Sequence, residues 1–151
     1  MRAVIQRVSH ASVTTEKGIL SEINAGLVVL LGIENSDSPE DIDWLCNKII
    51  HLRIFADSNG VMNLSIQDTG GDIIVVSQFT LHAKTKKGNR PSYINAARPE
   101  VAIPIYESFI KKLTEQSGKK IGTGEFGAMM LVEIINAGPV TIIIDTKNKD
   151  L

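Results

Sequence analysis

The sequence has little with which to perform familiar catalytic chemistry. One cysteine, Cys46, stands in 151 residues, so no disulfide can close within the chain. Its place beside Trp44, Leu45 and Ile49 on an expected helix suits a buried thiol better than a nucleophile. Only three histidines occur, His10, His51 and His82; none has metal-ligand spacing, and HExxH, CxxC, GxSxG and P-loop patterns are missing. That scarcity disfavours a metal centre and a Ser-His-Asp triad alike. The acidic residues fall mostly in turns and first helical turns, where capping accounts for them, so no carboxylate pair stands out for acid-base work. No apolar run approaches the ~18 residues of a membrane span, and the opening MRAVIQRVSH alternates polar and apolar residues where a signal peptide needs a continuous apolar core. A soluble, cytoplasmic protein without membrane association is expected. Neither an internal repeat nor a low-complexity tract is present.

What is present is a chain that is 43% hydrophobic, long enough for one cored domain over residues 1–151 and too short for two. The net charge of −1 offers nucleic acid no general attraction. Its distribution is less neutral. Lys84, Lys86, Lys87, Arg90 and Arg98 lie in one short stretch with no acidic residue among them, which is either a phosphate-holding patch or a solvated loop kept soluble by its lysines.

Ala3 to Val13 and Ile19 to Ile23, separated by Glu16-Lys17-Gly18, predict a hairpin. Leu27 to Ile33 is an apolar run that suits a central strand covered on both faces. Ser38-Pro39-Glu40-Asp41 marks a helix start, with Ser38 as cap, Pro39 in the first position and two acids at the positive end; Ile42, Leu45 and Ile49 form the buried stripe. Leu52 to Phe55 resumes strand character, Asp57-Ser58-Asn59-Gly60 turns, and Val61 to Leu64 pairs back. Gly70-Gly71 opens a further buried strand, Asp72 to Val76. A second helix starts near Pro99-Glu100, with Pro104 expected where an amide has little intrahelical partner to lose, Ile103, Phe109, Ile110 and Leu113 on its apolar face, and Gly118 at its end. Ala128 to Ile135 and Val140 to Ile144 predict two last strands flanking Asn136-Ala137-Gly138-Pro139. About eight strands and two helices, mostly in hairpin order, give an α+β domain: a predominantly antiparallel sheet or barrel with two helices packed against it.

The buried strand runs into VVSQFTLHAK, where Ser77, Gln78 and Thr80 surround Phe79. Thr80 has the oxygen of a nucleophile but no evident base, and an unassisted threonine hydroxyl attacks poorly. Ser77 and Thr80 equally suit the satisfaction of main-chain groups at a strand end. His82 is close enough in sequence to act as a base, although a lone histidine there is more often structural.

Five segments taken together resemble one family: SQFTL at Ser77 to Leu81, KGNRPSY at Lys87 to Tyr93, FGAMM at Phe126 to Met130, NAGPVT at Asn136 to Thr141, and the opening MRAVIQRV. In this order and spacing, across nearly the whole chain, they resemble the D-aminoacyl-tRNA deacylases. Tyr93 stands where the family has phenylalanine, and Ala137 where an acidic residue is frequent. The resemblance implies a homodimeric, cofactor-independent and metal-free esterase that removes D-amino acids, and glycine, from mischarged tRNA at its acceptor end. It implies a cis Gly138-Pro139 peptide whose carbonyls reach into the partner subunit's pocket and collide with L-side chains, with Arg7 holding the turn and Met129 beside the substrate. It further implies that Ser77, Gln78, Phe79 and Thr80 form the catalytic strand end, where Thr80 has been taken as the nucleophile and RNA-assisted attack by water is the competing mechanism. Lys84, Lys86, Lys87 and Arg90 then guide tRNA phosphates. A module that binds RNA without hydrolysing it is the alternative from another class.

Overall fold

The computed structural model describes all 151 residues. Strand β1 (Arg2–Thr15) is the organiser, because it is long enough to serve three partners. Its first half pairs antiparallel with β3 (Gly26–Gly32), its second half with β2 (Gly18–Ile23), and its opposite side with β8 (Leu131–Asp145). β3 continues into β6 (Asp72–Ser77), and β6 into the two-residue β7 (Gly122–Thr123). These last two ladders are parallel, so the expected antiparallel sheet is mixed. The doubly apolar runs of β3 and β6 already carried the signature of covered parallel strands; hairpin order among the remaining elements pointed the other way. Ser21 nearly closes the sheet, its hydroxyl donating to the Thr123 carbonyl at 2.6 Å and accepting from the Thr123 N–H at 2.9 Å.

Alternation along each strand splits the core in two. Ala3, Ile5, Leu27, Val29, Leu31, Ile73 and Val75 face the helices. Val8, Val28, Ile74 and Val76 face the interior of the curved sheet, joined there by Ala11 and Val13. Odd residues of β1 therefore change sides between Ile5 and Ala11. The β1–β8 register shifts between Val8 and His10, and such a bulge inserts the one residue that reverses the facing.

Three helices are present. α1 (Pro39–His51) and α3 (Pro99–Ser117) were expected; α2 (Ile66–Thr69) was not. Its signal is a four-residue capping box in which Ser65 accepts from the Asp68 N–H at 3.2 Å, closed by Gly70 in the left-handed region at φ 68°. At α1 Ser38 takes the N-cap position ahead of Pro39, as expected, with its hydroxyl and N–H both donating to the Asp41 carboxylate, at 3.0 and 2.9 Å. Burial by itself would raise the Asp41 pKa, but donors from Lys147, Thr146 and Ser38 hold it well below the carboxylate range. On α3 the buried stripe is Ala102, Tyr106, Phe109 and Leu113, while Ile103 is only half-buried. Pro104 falls in the second turn, not the first, so the hydrogen bond its amide would have given to Glu100 is lost. The Leu52 to Phe55 strand shrinks to β4 (Phe55–Ala56), which pairs with β5 (Met62–Leu64) in a separate two-stranded sheet. The two final strands are one, β8, interrupted by its Gly-Pro corner.

Candidate active site

The C-terminal ends of the parallel strands β3, β6 and β7 lie side by side, and the loops that leave them carry the SQFTL, KGNRPSY and FGAMM segments. β6 stops at Ser77. The Gln78 N–H still reaches the Leu31 carbonyl at 2.8 Å, and Phe79–His82 then tightens into one 3-10 turn, fixed by Leu81 N–H to Gln78 carbonyl at 3.2 Å. Arg2 clamps the turn from β1, donating to the Leu81 carbonyl at 2.8 Å and to Asp145 at 2.8 and 3.0 Å. Sequence reasoning gave Arg2 no role. Its only signal was position, because a strand that starts beside the ends of β3 and β6 places its first side chain there.

Thr80 Oγ1 is hydrogen-bonded to the Gln78 side-chain amide. In either orientation of that amide the partner is not a base, so nothing adjacent takes the Thr80 proton. The N–H groups of Phe79 and Thr80 precede the first hydrogen bond of the turn, Leu81 N–H to the Gln78 carbonyl, and as its first donors have no partner within it. His82 is buried against Gly32 and its Nε2 has no partner. That packing makes it part of the floor of the site, and it does not bond Thr80.

Beyond the turn, Lys84 and Ser92 exchange N–H···O bonds at 2.8 and 3.0 Å, folding residues 85–91 into a hairpin with Gly88 at φ 70°. Lys84, Lys86, Lys87 and Arg90 are all exposed and in no ion pair. At its base Tyr93 meets Phe79 edge to face, ring centroids 5.0 Å apart at 80°. In the FGAMM segment Met129 is 90% exposed, whereas Met130 packs against the interior of the curved sheet, an order that follows from the in-out alternation leading into β8.

The Gly138-Pro139 corner lies beside Arg7, level with the start of β3 and away from the strand ends that carry the turn. The peptide is cis, Gly138 has φ 130°, and both residues are exposed. Arg7 donates to the Ala137 carbonyl at 3.0 Å and to the Ile54 carbonyl at 2.6 Å, so it holds the corner by the residue before Gly138 and not by the carbonyls of Gly138 or Pro139. A Cβ on Gly138 would come within 2.8 Å of Arg7 Nη2. Arg2, which clamps the SQFTL turn, and Arg7, which clamps the corner, are five residues apart on one extended strand, about 17 Å. One chain therefore brings the strand end, Arg2, the basic hairpin and Tyr93 together and leaves Gly138, Pro139 and Arg7 outside.

Comparison with known proteins adds the lineage. Residues 4–145 match the family model described as D-Tyr-tRNA(Tyr) deacylase. The chain belongs to this family. It is 64% identical over 150 residues, 99% of its length and all of the relative's, to the D-aminoacyl-tRNA deacylase of Bacteroides thetaiotaomicron, and 65% identical over the same coverage to that of Bacteroides fragilis strain YCH46. Among solved structures it is similar to the c-Myc DNA Unwinding Element Binding Protein, with a TM-score of 0.91 and 41% identity over 96% of this chain and 98% of that one. A probable eukaryotic D-amino acid tRNA deacylase shares the fold at a TM-score of 0.81 and 16% identity, over 95% and 97%. The chain is accordingly a D-aminoacyl-tRNA deacylase by lineage, a hydrolase of the aminoacyl-tRNA ester bond. No helix is long and apolar enough to cross a membrane.

Proposed function

We propose that the protein hydrolyses the ester of D-aminoacyl-tRNA in trans, releasing the D-amino acid and sparing L-aminoacyl-tRNA, and that glycine mischarged on tRNA for alanine is a second substrate. The observation that carries this reading is the 3-10 turn after β6: two leading main-chain N–H groups, at Phe79 and Thr80, that the turn itself does not use, next to a threonine whose only side-chain partner is an amide. Such a turn suits stabilisation of charge on an ester oxygen and not nucleophilic attack. Water adds to the ester carbon, the bond to the ribose oxygen breaks, and the proton from water passes to that oxygen, with the neighbouring ribose hydroxyl as shuttle. Ser77 and Gln78 hold the backbone in place, and the Lys84, Lys86, Lys87 and Arg90 hairpin positions phosphates.

A single chain keeps the Gly138-Pro139 corner away from the turn, so the chirality filter requires a second copy. β8 supports that assembly: its only strand partner is β1, and Leu131, Ile135 and Ile143 are exposed along it. A fifteen-residue edge strand of this kind is a liability unless covered. In a two-fold dimer each corner reaches the other subunit's SQFTL turn, and its main-chain carbonyls form a wall against an L-side chain while a D-side chain or glycine passes. Size discrimination in an apolar pocket yields only about 10- to 200-fold; a rigid wall excludes more strictly. Incubation with D-Tyr-tRNA and L-Tyr-tRNA tests the function: D-tyrosine is released and the L-ester survives. An intact D-ester, which a mere RNA-binding module would leave, or equal cleavage of both, would overturn it. Replacing the terminal ribose by its 2′-deoxy form tests the mechanism, with loss of turnover expected and unchanged turnover returning the nucleophile to Thr80.

A further inference from the structure

Two of the few aromatic rings in this chain are spent on the surface. Phe79 is 52% and Tyr93 38% exposed, yet they touch each other in a fixed edge-to-face pair. Burial in the core would have gained more apolar contact for either ring, and adjoining apolar exposure at Ile94, 76% accessible, makes the spot a patch and not a stray side chain. Both rings are rigidly placed. Phe79 begins the turn clamped by Arg2 and by Leu31, and Tyr93 follows the Lys84–Ser92 bridge that closes the basic hairpin. An edge-to-face pair covers at most one face of one ring, so flat π surface stays open.

Resting on the proposed substrate, we propose that the Phe79–Tyr93 pair is a stacking platform for one unpaired nucleobase of the single-stranded 3′ end of the tRNA. The charge supports that occupant. Lys84, Lys86, Lys87, Arg90 and Arg98, all exposed, fall in the stretch that carries Tyr93, with no acidic residue among them, and cations combined with aromatic faces are how proteins hold single strands without reading their sequence. The ester is attached to the last ribose of that strand, and Phe79 adjoins Thr80, so a base held here fixes the ester over the Phe79 and Thr80 amides. Tyr93 and the Phe79 ring are thereby positioning residues; the turn backbone remains the catalytic part.

The experiment uses the full-length protein and uncharged tRNA in which each unpaired 3′-terminal base is replaced in turn by 2-aminopurine, whose emission falls on stacking. Wild type is expected to quench the probe at one of these positions. Tyr93→Leu keeps apolar bulk but removes the π face; it should abolish that quench and raise KM for D-aminoacyl-tRNA roughly tenfold with little change in kcat. Tyr93→Phe should behave as wild type. No quench at any position with wild type, or an undiminished quench with Tyr93→Leu, would overturn the platform. Quenching by a protein that releases no D-amino acid would retain the platform and discard the deacylase reading, because the optical signal needs no hydrolysis.

Discussion

Thr80 and Gly138 carry opposite expectations at the scale of single residues. Thr80 Oγ1 is tied to the Gln78 amide, so Thr80→Val removes a hydrogen bond and a hydroxyl but no proton-transfer partner; turnover of D-Tyr-tRNA should fall by about tenfold or less. A loss near the 10⁴-fold expected for a deleted nucleophile, in a folded variant that still binds tRNA, would reinstate covalent catalysis. Gly138 has no such latitude: φ 130° strains any L residue, and a Cβ there would crowd Val140 at 2.9 Å and displace Arg7 Nη2 from 2.8 Å. Gly138→Ala should displace the corner, and the ratio of D- to L-ester cleavage should drop more than D-cleavage itself; an unaltered ratio would remove the corner from the chirality filter. Asp145 makes a pH statement. Burial alone would raise its pKa, but the Lys147 N–H and the Arg2 guanidinium more than offset this and hold it below the usual value. A carboxyl with a depressed folded pKa contributes stability that is complete above the unfolded value of ~3.9 and disappears as the pH falls through the folded one. Thermal melts of Asp145→Asn should therefore vary less with pH below about 4 than those of wild type, and parallel curves would deny the carboxylate that role.

Among the elements, the basic hairpin is the piece whose contribution is electrostatic and separable. Its cations lie outside the core and outside any ion pair, so replacing Lys86 and Lys87 together by alanine should leave the melting temperature nearly unchanged. Affinity for different tRNAs should fall alike, and the slope of log K against log salt should flatten by about 2. An unchanged slope would assign the lysines to solubility. α3 behaves oppositely: Phe109 is fully buried between the helices and the sheet, and Phe109→Ala should cost about 3–5 kcal/mol in a denaturant titration. These two elements also differ in legibility. The hairpin was visible as charge, and α1 and α3 as periodic apolar stripes with a proline at the start and, for α3, a glycine at the end. α2 was overlooked because four residues are too few for periodicity, although its Ser65–Asp68 box was in plain view. α3 starts at Pro99, as its sequence predicts, and counting from there puts Pro104 sixth, past the residues whose amides have no intrahelical acceptor.

For the whole molecule the decisive separation is along β1. In the proposed dimer, Arg2 and Arg7, about 17 Å apart on one strand, hold the two half-sites that a second chain brings together, and the uncovered edge of β8 is where that chain would pair. Ile135→Glu, placing a charge on the exposed face of β8, should yield a monomer by sedimentation that folds normally and loses D-ester cleavage. A monomer that edits at full rate would end the shared-site proposal. The sequence by itself located α1, α3 and the main strands β1, β2, β3, β6 and β8, and singled out SQFTL, the basic stretch and the Gly-Pro corner as the unusual features, because each is a property of neighbouring residues; Cys46, expected as a buried thiol, is held up to about 12 by burial. Only the tertiary structure decided that β3, β6 and β7 run parallel, that Arg2 clamps the turn after β6, that Phe79 meets Tyr93, and that Arg7 grips Ala137 instead of Gly138. Those facts depend on which strands lie side by side and where a bulge reverses their faces, and such pairings join residues too distant in sequence for local pattern to specify.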